Sequence, residues 1–189
     1  MFLISKPGKS DIDKFIAANQ HSDFSYSEVG TSLHQPPSGY TVDHNRTLLG
    51  SGDRNFEKAK DAIREWKMFD FPWVELCWPD TPIEVGESVA ILVKHFGFYS
   101  LNGARVVYAI DEPNRFGFAY GTLTEHSESG EERFTVDMEE TTGEVFYDLF
   151  AFSRPQHLLA KFGYLYARQL QKHFAKDSLA SMKRAVEAC

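Results

Sequence analysis

A chain of 189 residues with 42% hydrophobic residues fits one globular domain with a real core. At that length it buries roughly 70% of the surface its unfolded form exposes, so it needs no disulfide or metal staple. The net charge of −7 excludes a general nucleic-acid binder, because phosphate contacts require a basic surface.

Lys9–Gln20 reads as a short helix, with Ile12, Phe15 and Ile16 on one face and Asp11 and Asp13 at its positive end. With the residues before it, it forms a helical extension over 1–23. Phe24–Gly30 alternates and predicts a strand, His34–Gly39 a loop, and Tyr40–Leu49 a second extended piece. Gly50-Ser-Gly52 opens a helix over Asn55–Lys67, whose Phe56, Ala59, Ile63 and Trp66 make a buried stripe. No third glycine and no Lys-Ser/Thr follows, so this is a turn and not a phosphate loop.

Strands are then expected at Trp73–Trp78, Ser88–Phe98, Ala104–Asp111, Phe116–Thr124, Glu131–Glu139 and Glu144–Phe152. Asn102-Gly103, Asp111–Asn114, Ser129-Gly130 and Thr141–Gly143 are the predicted turns, Asn-Gly being the strongest hairpin signal. Short turns make consecutive antiparallel pairing the simplest topology. Ser153-Arg154-Pro155 opens a last helix, on which Leu158, Leu159, Phe162, Leu165, Tyr166, Leu170 and Phe174 form an apolar stripe. The fold class is therefore α+β: a curved antiparallel sheet with a long C-terminal helix packed across it. A single domain is expected over 1–189, with a core over 24–175 and a polar tail of the last helix over 176–189.

Phe116–Leu123 has one face of Phe116, Phe118, Tyr120 and Thr122, and another of Gly117, Ala119, Gly121 and Leu123. Glycine weakens a strand, so a Gly-Ala-Gly face requires close packing, a bend or a ligand against it. In the next strand Glu132 shares the apolar side of Phe134 and Val136, while Glu131 and Arg133 point away. A carboxylate on an apolar face needs a partner or keeps its proton with a raised pKa. His126, Arg105, Arg154 and His157 are the candidate partners.

Tyr120-Gly-Thr-Leu123, His126, Gly130-Glu-Glu132 with Phe134, and Phe152-Ser-Arg-Pro155 resemble the uncharacterised protein family 0548. Phe24–Thr31, Pro37–Tyr40 and Leu49–Gly52 resemble that family's opening, so the likeness spans about residues 24 to 175. Where the family often reads Leu-Pro-Gly-His, this chain has Leu123-Thr-Glu-His126, which alters the turn that carries the histidine. The resemblance implies a START-like helix-grip fold, in which sheet and C-terminal helix enclose an apolar cavity.

The leading functional expectation is a binder of a small hydrophobic or amphipathic molecule. The expected ligand-binding residues are Trp66, Trp73, Arg105, Tyr120, Thr122, Glu132 and Arg154. The alternative is an enzyme in which His126, Glu132 and Tyr120 perform acid–base chemistry. A third reading is an interaction module or homodimer. It rests on the acidic stretch Thr124–Asp148 and on the last 36 residues, which carry seven Lys or Arg against two Asp or Glu. The seven histidines lack metal-ligand spacing and no cofactor motif occurs, so neither metal nor cofactor is expected. Cys77 reads as a small core residue. The opening residues lack a signal-peptide pattern and no run reaches the ~18–20 apolar residues of a membrane span, so a cytoplasmic location is expected.

Overall fold

Period-two alternation builds most of this molecule. The computed structural model describes residues 1–78, 80–126, 128–156 and 164–188. In chain order its elements are β1 (Phe2–Leu3), α1 (Lys9–Asn19), a short 3-10 turn (Thr31–Leu33), β2 (Thr41–Ser51), α2 (Asp53–Arg64), a second 3-10 turn (Lys67–Phe69), β3 (Val74–Leu76), β4 (Ser88–Lys94), β5 (Tyr99–Glu112), β6 (Arg115–Thr122), β7 (Glu128–Met138), β8 (Glu144–Pro155) and α3 (Tyr164–Glu187). The antiparallel sheet runs β2-β8-β7-β6-β5-β4-β3, with β1 paired to the start of β5. β3 to β8 pair with their neighbours in sequence, and β2 returns to close against β8.

One face of the sheet is apolar and meets α2 and α3. Phe116, Phe118, Tyr120, Phe134, Val136, Tyr147 and Leu149 point there and are buried with Phe56, Ile63 and Trp66. The opposite face carries a smaller core, where Ile12, Phe15 and Ile16 of α1 cover Ala90, Leu92 and Leu101. The N-terminal extension is thus the outer layer of the sheet.

Four sequence expectations require correction. Asn102-Gly103 is not a turn: both residues lie inside β5, opposite Ile91 and Ala90. The real turn is His95–Phe98, closed by the His95 amide donating to the Phe98 carbonyl, with Gly97 at φ 84°. Phe15 of α1 and Leu123 pack over Gly103, at ordinary contact distances of 3.4–3.7 Å from where a Cβ would be. Ser129-Gly130 likewise lies in β7, and the turn before it is closed by the His126 amide on the Leu123 carbonyl. Phe24–Gly30 is no strand: only Phe24 bridges to Leu123, and the segment then bends across the outer face of the sheet. Finally, Ser153-Arg154-Pro155 does not open a helix but finishes β8, paired with Gly130, Ser129 and Glu128.

His157, Leu158, Leu159 and Phe162 lie outside the described residues. Within α3, Leu165 and Tyr166 are exposed, whereas Leu170 and Phe174 face inward. The supposed polar tail is the best-packed part of the helix. Ala175, Ser178, Met182 and Val186 are buried at helical spacing, and the Ser178 hydroxyl sits 2.9 Å from Tyr147 Oη. Small and polar residues there serve close approach to the sheet.

The Gly-Ala-Gly face of β6 lies on the outer side, and close packing explains it. At Gly121 a Cβ would collide with the Tyr26 hydroxyl and come within 2.9 Å of Phe24 Cδ1. The bare backbone lets Tyr26 lie against the sheet and donate to Glu131 Oε2 at 2.7 Å, from the strand position opposite Gly121. We expect Gly121→Ala to lift Tyr26 and cost about 1–3 kcal/mol. Chemical denaturation checks this, and an unchanged midpoint would refute the packing account.

Candidate functional site

Between the inner face of the sheet and the first half of α3 the side chains do not fill the space. The deep end is plugged by aromatics: Trp66 lies 4.7 Å from Phe118, and Phe69 lies 5.5–5.6 Å from Phe134 and Phe174, centroid to centroid. Beyond this plug a cavity of about 210 Å³ remains, far above the ~10–15 Å³ that one water needs. Its apolar wall includes Trp73, Val74, Ile91, Leu149, Leu170 and Phe174. Polar residues lie among these: Asp43 and Asn45 of β2, His95, Ser100, Asn102, Thr122, His126, Glu128, Glu132, Ser153 and Gln171.

Strand parity puts Glu132 in this cavity, opposite Tyr120 in the β6–β7 register. Of the candidate partners, His126, Arg105 and Arg154 do not meet its carboxyl, and His157 lies outside the described residues. Instead Tyr120 donates its hydroxyl to Glu132 Oε2 at 2.6 Å. Burial raises the Glu132 pKa to about 7, the Tyr120 hydrogen bond opposes the rise, and nearby Asp43 adds to it. Burial also holds the Tyr120 phenol well above its ordinary value. The second cavity carboxyl, Glu128, is likewise raised to about 7 by burial, partly offset by the charge of Arg168. Asp43 is different, because Arg168 grips it through both guanidinium nitrogens while also donating to Gln171.

His126 is at the cavity wall and not in an open turn. Its Nδ1 is held by the Glu128 backbone, 3.0 Å from the amide nitrogen and 3.1 Å from the carbonyl oxygen. Burial depresses the His126 pKa to about 4, so the ring is neutral near pH 7.

The other expected site residues separate. Trp73 lines the cavity, with its indole N–H donating to Asp177 of α3 at 2.8 Å. Thr122 lines it too, but its hydroxyl is engaged by both backbone groups of Gly130. Trp66 is 2% exposed and belongs to the plug, its N–H spent on the Thr81 carbonyl. Arg105 lies on the outer side, where it donates to the carbonyls of Asn19, Gln20 and Ser22 and anchors the end of α1. Arg154 is exposed, with its guanidinium 4.5 Å above the Tyr40 ring.

Asp43, Asn45, Glu128 and Gln171 escaped the sequence reading. For Asp43 and Asn45 a signal existed: the period that buries Leu49 in β2 also turns Thr47, Asn45 and Asp43 inward. The basic helix does not neutralise the acidic stretch as a block. Asp137, Glu139 and Asp148 pair with Arg115, Arg46 and Arg133, all from the sheet. Among the described residues no group of three or more His, Cys, Asp or Glu is arranged to hold a metal, and no helix is long and apolar enough to cross a membrane. Cys77 is half-buried at the edge of the outer core, where burial pushes its thiol up to about 11.

The comparisons agree with this architecture. A model described as a domain of unknown function, DUF1990, matches residues 25–181. A UPF0548 protein of Dictyostelium discoideum is 37% identical, covering 98% of this chain and 96% of its own. The UPF0548 protein At2g17695 of Arabidopsis thaliana is 38% identical over 79% of this chain and 75% of its own. Among solved structures, a hypothetical protein of Helicobacter pylori, jhp0584, superposes with a TM-score of 0.53 at 11% identity, over 75% of this chain and 85% of that one. A norcoclaurine synthase point mutant from Thalictrum flavumn, in complex with a transition-state analogue, superposes at 0.52 and 10% identity, over 82% and 99%. At such identities these likenesses speak for the helix-grip fold alone.

Proposed function

We propose that this chain, which belongs to the DUF1990 (UPF0548) family, binds a small amphipathic molecule in the cavity between its sheet and α3. The observation that carries this reading is one unfilled cavity lined largely by apolar side chains with a few polar groups among them. Trp73, Leu149, Leu170 and Phe174 would hold the apolar body, and Tyr120, Glu128 and Glu132 the polar head. Titration with the uncharged fluorescent amphiphile N-phenyl-1-naphthylamine tests it. We expect saturable binding at one site, abolished in Ala151→Phe, whose ring would enter the cavity from β8. Absence of binding, or equal binding by that variant, would overturn the reading.

A second reading, acid–base catalysis, has one observation in its favour: Glu132 and His126 face one cavity with their pKa values displaced in opposite directions, to about 7 and about 4. It predicts a substrate whose turnover, but not binding, is lost in Glu132→Gln.

A further inference from the structure

The charges around the cavity are unbalanced, and that limits what can enter it. Among the described lining residues there are carboxylates but no Lys or Arg. Glu131 borders the cavity, yet its carboxylate is turned outward to the Tyr26 hydroxyl and the Gly30 and Ser32 amides. Asp43 is spent on Arg168. Glu132 uses Oε2 for Tyr120, and its Oε1 has no hydrogen-bond partner among the described residues. The Glu128 side chain has none either, since only its backbone meets His126. His126 presents a neutral ring. Among the described residues the one cation near these carboxyl groups is Arg168, which is paired with Asp43 and only partly offsets the burial of Glu128, so burial keeps both Glu128 and Glu132 protonated up to about pH 7.

We infer that the ligand of this cavity is an amphipathic cation: an apolar body carrying a primary ammonium or similar group that meets the cavity carboxyl groups Glu132 or Glu128 on the inner face of β7. This inference rests on the cavity-binding reading above. An ammonium supplies three N–H donors and no acceptor, which matches the acceptor atoms on offer. A carboxylate ligand would place like charges together in low dielectric and is disfavoured. An alcohol of the same length would fill the apolar wall without answering the charge.

Binding of the cation requires the carboxyl groups to ionise, so affinity rises with pH through 7. The groups facing Glu132 are Tyr120 from β6, Asp43 from β2 and Tyr147 from β8; Arg168 of α3 faces Glu128. An alkylammonium, with a pKa near that of Lys at ≈ 10.4, remains charged across this range. A carboxyl of pKa about 7 goes from roughly one-tenth to nine-tenths ionised between pH 6 and pH 8, so each contributing group gives a rise of up to about tenfold.

The test is displacement of N-phenyl-1-naphthylamine by octylamine, 1-octanol and octanoate, three head groups on one tail. At pH 8 we expect octylamine to displace the probe at concentrations at least about tenfold below the other two. That advantage should shrink at pH 6 and vanish in the double variant Glu128→Gln/Glu132→Gln. Octanoate or octanol matching octylamine at pH 8 would overturn the inference and leave the cavity reading standing. So would an advantage that survives the double variant. Failure of the probe itself to bind would overturn both.

Discussion

Glu131→Ala is expected to lower stability by about 3–5 kcal/mol, the cost typical of removing one partner from a buried charged network. Glu131 is 2% exposed although it lies on the outer face of the sheet. Its carboxylate accepts from the Tyr26 hydroxyl and the Gly30 amide at 2.7 Å each, from the Ser32 amide at 3.0 Å, and from the Ser32 hydroxyl. One side chain thereby ties residues 26–32, which form a loop and the start of the first 3-10 turn, onto β7. Removing it leaves several buried donors without acceptors, each costing about 1–3 kcal/mol if water does not replace the carboxylate. In a chain of this size the loss corresponds to a fall in Tm on the order of 10 °C. Tyr26→Phe removes one of the four donors and should cost only about 1 kcal/mol. Thermal and chemical denaturation read both, and a Glu131→Ala variant within 0.5 kcal/mol of the parent would contradict the clamp.

Glu132→Gln is expected to do the opposite, in a way that depends on pH. A carboxyl whose folded-state pKa is raised from about 4.5 to about 7 is protonated in the folded chain where the unfolded chain has released its proton. Stability then falls as pH rises from 4.5 to 7 and stays low above, by at most about 3 kcal/mol for this group. Gln keeps an acceptor for the Tyr120 hydroxyl and carries no charge. The variant should therefore match the parent near pH 5 and be about 2–3 kcal/mol more stable at pH 8. Glu128 acts in the same direction in both proteins. His126, with its folded-state pKa depressed to about 4, adds stability as pH rises from 4 to 6.5, again in both. The difference between variant and parent isolates Glu132. A constant difference across pH 5 to 8 would show that this carboxyl is ordinarily solvated.

Much of this arrangement was legible wherever a strand has one wet and one dry face. Alternation alone turned Phe116, Phe118 and Tyr120 inward and put Glu132 beside them, as the structure has it. The same rule, applied to β2, would have found Asp43 and Asn45. Local turn chemistry misled at Asn102-Gly103. A glycine in mid-strand beneath Phe15 looks the same in sequence as one that makes a turn. Glu131 was hidden for a related reason: a carboxylate on the outer face looks like ordinary solvent-facing surface. Its burial comes from Tyr26, Gly30 and Ser32, which follow no period and are about a hundred residues away. The boundary between β8 and the last helix was also misplaced, because Pro155 suits a first helical turn but also ends a strand whose pairing with β7 continues to Glu128.

Trp73 and Val74 stand between the inner cavity and a separate outer groove lined by Phe71, Leu92, Lys94 and Tyr99. The most direct measurement is therefore one that locates a bound molecule. With N-phenyl-1-naphthylamine bound, intermolecular nuclear Overhauser effects are expected to the ring protons of Trp73 and Phe174 and to the methyl groups of Leu149 and Leu170. Effects confined to Phe71 and Tyr99 would place the molecule in the outer groove and contradict a binding site between the sheet and α3.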